Sequence, residues 1–259
     1  MDLHLQGHVV LVSGGAKGIG ASICRVLAGE GAIPVVIGRN QADNERLVGE
    51  LIAGGGQALA VQAELTQSDA AEQAVAAALE EFGRIDGLVN NAGVNDGVSL
   101  EGGDSERFLA SLRKNLLHYY ELAHFALPEL KRSRGAIVNI GSKVAETGQG
   151  KTSAYAAATG GRNALTREWA AELAPHGIRV NAVIVAECWT PMYESWLSTQ
   201  SDPVAVRQQI EARIPLGRRM TTGEEIAQSV AFLLSDRSSH TTGQLLHVDG
   251  GYVHLDRGL

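Results

Sequence analysis

The chain is short of several things, and each shortage removes a class of protein. Only two cysteines occur in 259 residues, Cys24 and Cys188, far apart and in apolar surroundings. A disulfide framework is therefore not expected, and buried reduced thiols in a cytoplasmic protein are. Proline is scarce, at 6, and no Pro/Ser-rich linker divides the chain. No stretch approaches the roughly 18 unbroken apolar residues of a membrane-crossing helix. Residues 1–8 lack the basic and then apolar segments of a secretory leader, so neither a leader nor a membrane partner is expected. Positive charge is also short: 22 Lys and Arg against 29 Asp and Glu leave a net charge of −7. That balance argues against nucleic acid as a partner, because a phosphate backbone needs clustered cations. The histidines show no ligand spacing. His4 and His8 lie four apart, but His8 enters a strand, and His118 and His124 have no nearby carboxylate pair. No metal site is expected.

Glycine is abundant, at 31, and it recurs just after short apolar runs. Those runs fall at residues 8–12, 33–37, 58–62, 87–90, 136–140 and 178–184, with stretches of helical length between them, such as 67–82 and 153–174. Strands alternating with helices mean βαβ units and a parallel sheet. Strands apolar throughout mean a sheet covered on both faces. The fold class is α/β, with residues 1–259 forming one doubly wound domain. Residues 186–213 differ, being rich in Trp, Tyr, Pro and Ser with weak periodicity. They are expected to form a mobile lid after the sixth strand.

The first strand runs into Ser13-Gly14-Gly15-Ala16-Lys17-Gly18-Ile19-Gly20, and a helical pattern follows. Glycines here let the backbone approach a pyrophosphate, and the new helix aims its free N–H groups and dipole at the anion. The spacing differs from G-x-G-x-x-G and resembles that of the short-chain dehydrogenase/reductase family. Asn90-Asn91-Ala92-Gly93, Arg179-Val180-Asn181-Ala182-Val183 and Val248-Asp249-Gly250-Gly251 resemble further markers of that family, and the likeness spans nearly the whole chain. It implies a Rossmann-like sheet of order 3-2-1-4-5-6-7, an NAD(P)-dependent oxidoreductase and a homotetramer. The apolar pattern of residues 108–127 suits helix pairing between subunits, and residues 254–259 are placed to reach a neighbour.

An NAD enzyme usually carries an acid about 20 residues past the loop, to hold the ribose 2′-OH. Here the second strand ends Ile37-Gly38-Arg39-Asn40, without a carboxylate at Gly38. Arg39 and Lys17 could hold a 2′-phosphate, which favours NADP, with NAD as the alternative. The other reading of the pair is a solvated Lys17 and an Arg39 stacked on adenine. The resemblance also implies cofactor contacts from Ser13, Gly14, Gly18, Ile19, Gly20, Glu64, Leu65, Asn91, Ala92, Gly93, Tyr155 and Thr190.

Moving a hydride to or from a carbinol needs a group that exchanges the hydroxyl proton, and a phenol can do so if its proton is made easier to lose. The resemblance implies Tyr155 as acid/base, Ser142 as holder of the substrate oxygen and Asn115 as anchor of a water relay. It also implies a lysine one helical turn past the tyrosine. This chain has Thr159 there, in Tyr155-Ala156-Ala157-Ala158-Thr159-Gly160-Gly161. Thr159 keeps a hydroxyl but brings no charge. Lys151 is out of reach, roughly 12 Å along an ideal helix, and Lys143 approaches from another side. Gly160-Gly161, costly inside a helix, suggests a close helix or subunit contact.

Within the family the chain most resembles bacterial L-fucose dehydrogenases. The likeness lies in Asn91-Ala92-Gly93-Val94-Asn95-Asp96-Gly97, Thr147-Gly148-Gln149-Gly150, Leu165-Thr166-Arg167-Glu168-Trp169, Ser239-His240-Thr241-Thr242-Gly243 and residues 251–257. It implies a small polyhydroxy substrate, an aldose such as L-fucose oxidised at C1 to its lactone. Asn95, Lys143, Gln149 and Glu187 are candidate polar contacts, and Trp189, Tyr193 and Trp196 a stacking face. An apolar substrate would use the aromatic residues and leave Glu187 unexplained. A dinucleotide binder with impaired catalysis is the alternative that Thr159 raises.

Overall fold

The structure is a computed structural model and describes residues 2–255. The tail expectation for 256–259 lies outside the described residues. Seven parallel strands form the sheet: β1 (Val9–Ser13), β2 (Ile33–Gly38), β3 (Leu59–Gln62), β4 (Gly87–Asn90), β5 (Ala136–Ser142), β6 (Arg179–Val185) and β7 (Leu245–Val248). Their order is β3-β2-β1-β4-β5-β6-β7, as expected.

Alternation along each strand divides the apolar residues between two cores. Val9, Leu11, Val35, Ile37 and Leu88 point to one face, where they meet α3 (Ala70–Phe82), α5 (His118–Ser133) and α6 (Ser153–Leu173). Val10, Val12, Val36 and Val89 point to the other, against α1 (Gly18–Gly29), α2 (Gln41–Ala53) and α9 (Gly223–Leu234). This is why the strands read as unbroken apolar runs: each side chain has a helix to cover it.

Element boundaries shift by a few residues from expectation. The helix expected from residue 67 begins at Ala70, because Gln67 N–H and Ala70 N–H close turns on Glu64 and Gln67 carbonyls first. Residues 186–213, the segment expected to form a mobile lid, hold two helices, α7 (Pro191–Ser198) and α8 (Pro203–Glu211). Each starts with a proline behind a capping oxygen: Thr190 Oγ1 accepts from Tyr193 N–H, and Asp202 Oδ1 from Ala205 N–H. At eight and nine residues they are too short to show a clear helical period. The remaining helix, α4 (Ser105–Leu112), runs through one widened π turn, Arg113–Leu117, into α5.

The glycine pair of α6 has two explanations. A Cβ on Gly161 would lie 2.9 Å from Leu116 Cδ2, so Gly161 permits a close crossing of the π turn. Gly160 has no atom within 4 Å of its Cβ position and borders a cavity between α6 and β7.

Candidate active site

Strand order reverses between β1 and β4, and the crevice beyond the carboxyl ends of these strands is where ligands of open α/β sheets bind. A cleft of about 730 Å³ occupies that position. Its floor at one end is the glycine loop. Gly14 and Gly18 have φ of +63° and +54°. A Cβ on Gly20 would lie 2.1 Å from Gly14 O, so the turn closes only over glycine. Lys17 caps α1 with its backbone alone and makes no side-chain cap bond. The first N–H groups of α1 are thus open to an anion, which is the arrangement a pyrophosphate needs.

The predicted cofactor residues separate into two groups. Gly14, Lys17, Gly18, Ile19, Arg39, Glu64, Leu65, Asn91, Ala92, Gly93, Tyr155 and Thr190 line the cleft. Ser13 and Gly20 are buried behind it. Ser13 Oγ accepts N–H groups of Asn91 and Ala92 at 2.9 and 3.0 Å, so it shapes the wall rather than meeting a ligand. The amide of Asn91 in turn donates to Ser13 O and Gly14 O.

At the end of β2 a Cβ on Gly38 would lie 2.5 Å from Asn44 Oδ1. Asn44 is fixed there by donating to Gly38 O and Val61 O. A carboxylate-bearing residue does not fit this position. Arg39 is exposed beside it, with no carboxylate within ion-pair distance among the described residues. Lys17 differs from its expected partner role: Nζ pairs with Asp43 Oδ2 at 2.6 Å.

At the other end of the cleft, Ser142 closes β5 and Tyr155 stands in the first turn of α6. Ser142 Oγ accepts from Val144 N–H. Asn115 sits in the π turn, fully buried, and Oδ1 accepts from Val94 N–H at 2.8 Å. Thr159 does not line the cleft. It is buried, and its hydroxyl donates to the carbonyls of its own helix, Tyr155 O at 2.9 Å and Ala156 O at 3.2 Å.

The sequence reading missed Arg162. Its side chain is buried and still lines the cleft. Nε–H donates to Asn115 O at 2.7 Å, and Nη1 to Ile140 O at 3.2 Å. The guanidinium lies 4.4 Å from the Tyr119 ring centroid and 5.8 Å from that of Tyr155. His118, also on the cleft, is held by Lys114 O. Burial first, and then the Arg162 charge, push its pKa down to about 4. The signal was legible only as an arginine on the tyrosine's helix, seven residues on and so near the same face.

The predicted substrate residues are scattered. Lys143 pairs with the Glu187 carboxylate and lies 4.2 Å over the Tyr252 ring. Tyr193 O–H donates to Glu187 at 2.8 Å, and burial followed by the Glu187 charge raises the Tyr193 pKa. Tyr193 lines the cleft, so this network backs its wall. Trp189 and Trp196 flank Tyr193, with ring centroids 6.5 and 5.3 Å away, and Arg207 covers Trp189. Asn95 and Gln149 are exposed outside the cleft lining. A second, more polar cavity of about 830 Å³ lies near β7 and α6. Glu146, His247 and His254 gather their polar atoms there within 4.8 Å, a grouping the sequence reading passed over because the residues are far apart in the chain.

Comparison with known proteins agrees with this architecture. The family described as enoyl-(acyl carrier protein) reductase matches residues 14–253. L-fucose dehydrogenase of Mus musculus is 36% identical over 247 residues, 95% of this chain and 88% of that protein. L-xylulose reductase of Bos taurus is 38% identical over 256 residues, 98% and 99% of the two chains. The crystal structure of Cj0485 dehydrogenase superposes with a TM-score of 0.95 at 42% identity, covering 100% of this chain and 99% of the other. With the glycine loop, the strand order and the Ser142–Tyr155 end of one cleft already in place, the chain belongs to the short-chain dehydrogenase/reductase family and is an oxidoreductase.

Proposed function

We propose that this enzyme transfers hydride between a nicotinamide dinucleotide, NADP in preference to NAD, and a small polyhydroxy carbinol or carbonyl. The substrate is an aldose such as L-fucose, oxidised at C1 to its lactone. The observation that carries the reading is one continuous cleft running from Arg39 and the glycine loop to Ser142 and Tyr155. The closed position at Gly38 and an Arg39 without an ion-pair partner among the described residues support a 2′-phosphate. The Lys143–Glu187–Tyr193 network supports a substrate with several hydroxyls, each of which must exchange water for a polar partner.

The dinucleotide supplies the hydride acceptor. The chain's own groups do the rest. Ser142 holds the C1 oxygen, the phenolate form of Tyr155 takes the hydroxyl proton and becomes the phenol as the hydride leaves, and Asn115 keeps the π turn in place behind them. Residues 186–213, with Tyr193 on the cleft, act as the lid of a single domain. Exposed Leu109, Leu117 and Tyr120 on one surface, and Phe232 and Leu246 on another, support the two kinds of contact a homotetramer needs. Free, buried Cys24 and Cys188 support a reducing, cytoplasmic setting.

The test is absorbance growth at 340 nm with NADP and L-fucose across an aldose panel. A flat trace for every aldose at pH 7–10 overturns the substrate reading. A second reading, a dinucleotide binder without turnover, is favoured by the Thr159 hydroxyl being spent on its own helix. Tight dinucleotide binding with no turnover on any carbonyl or carbinol would select it.

A further inference from the structure

We infer that Arg162 is the positioning residue that brings the active site its positive charge, in place of a lysine at position 159. The inference rests on the proposed dehydrogenase reading and concerns how Tyr155 and Asn115 are served within it.

The geometry gives three reasons. First, Arg162 is the buried cation of this end of the cleft. Its relative exposure is 3%, and among the described residues no carboxylate lies within ion-pair distance of it. A buried guanidinium is costly to desolvate, and here only carbonyls and aromatic rings offset that cost. An uncompensated charge of this kind suits a place where negative charge develops during reaction. Second, its contacts are the catalytic elements themselves. Nε–H bonds the main-chain oxygen of Asn115, Nη2 reaches Asn115 Oδ1 at 3.5 Å, and the group lies 4.4 Å from the Tyr119 ring centroid and 5.8 Å from that of Tyr155. Third, the space for it has been made. A Cβ on Gly93 would lie 2.8 Å from Arg162 Nη2, so the guanidinium fills the volume a side chain would take.

The other cations near this end are engaged elsewhere or exposed. Lys114, on the cleft lining, pairs with Asp96 at 3.6 Å, Lys143 is spent on Glu187 and the Tyr252 ring, and Lys151 is exposed. Thr159, whose hydroxyl turns back onto its own helix, leaves the phenol's side of α6 without a charge until Arg162, three residues later. An arginine presents five N–H groups in a fixed fork. Three are accounted for by Asn115 and Ile140, and the rest remain to hold a hydroxyl of the bound dinucleotide.

The experiment uses the full chain and four variants: Arg162→Ala, Arg162→Lys, Thr159→Lys and the double variant Arg162→Ala/Thr159→Lys. The inference predicts that Arg162→Ala keeps its fold by circular dichroism, loses about a hundredfold in kcat and binds NADPH about tenfold more weakly by titration. Arg162→Lys retains most of both. Millimolar methylguanidinium, but not sodium chloride at equal ionic strength, restores part of the Arg162→Ala rate, which a purely structural loss would not permit. The double variant recovers to within about tenfold of the parent, because the lysine restores the charge from one turn away. Thr159→Lys alone gains nothing. If Arg162→Ala fails to fold, that single variant decides the matter: a gain of two orders of magnitude in the parent background would show that no cation serves the site and would overturn the inference. So would an Arg162→Ala chain that binds and turns over like the parent. Should the parent oxidise no aldose, the NADPH titration of Arg162→Ala against Arg162→Lys still tests the role of the arginine separately from the substrate.

Discussion

The two ends of the cleft are held by different kinds of contact. At the glycine loop the backbone does the work: Gly20 passes within contact of Gly14 O, Ser13 and Asn91 lash β1 to the chain after β4, and α1 offers its open N–H groups. At the Tyr155 end, side chains from four elements converge, and the buried guanidinium among them, Arg162, comes from a position with no marker of its own. A site made of backbone is specified by a short run of residues. A site made of side chains can exchange one residue for another several positions away, provided the charge arrives at the same place.

The largest effect that bears on this contrast is Tyr155→Phe. Turnover should fall by about three orders of magnitude, while NADPH affinity stays within about threefold. Parallel loss of both would mean that the two ends are not separable. Next, Gly20→Val should weaken NADPH binding at least tenfold by displacing Gly14 O, and circular dichroism and a melting curve would show whether the defect stays local.

A third effect is expected only at the catalytic end. His118 is buried with its pKa at about 4, below the ordinary 6.5, so the unfolded chain binds the proton more readily than the folded one. Its contribution to stability is complete above pH 6.5 and is lost as pH falls from there toward 4, roughly 3 kcal/mol in all. Melting temperature measured against pH should therefore fall less steeply in His118→Gln than in the parent over that window. An unchanged slope would remove His118 from the account. The smallest effect concerns Lys17, which Asp43 holds at 2.6 Å. Asp43→Asn frees the ammonium and should shift the ratio of NADP to NAD affinity toward NADP by up to about fivefold, the range of an exposed pair. A shift toward NAD would mean that the pair serves the ribose hydroxyl instead.

These differences also explain what was legible in the sequence. The parallel sheet, its two helical layers and the glycine loop could be read directly, because apolar period and glycine spacing are local signals, whereas the strand order came from the family resemblance. Of that run, Gly14, Lys17, Gly18 and Ile19 line the cleft, whereas Ser13 and Gly20 are buried behind it, because the chain after β4 folds back over them. The catalytic end was half legible. Tyr155 and Ser142 share the cleft as expected, whereas Thr159 faces its own helix. Arg162 could not be assigned without knowing that the π turn of residues 113–117 brings Asn115 O to its guanidinium. The same holds for the Lys143–Glu187 pair, 44 residues apart and joined only by the sheet.

Calorimetric titration of the full chain with NADP and with NAD, beside Gly20→Val, tests most directly whether the cleft is a dinucleotide site. Saturable binding near one molecule per chain is expected, tighter for NADP and much weakened in the variant. Absence of heat with both dinucleotides, or equal binding by parent and variant, would contradict it.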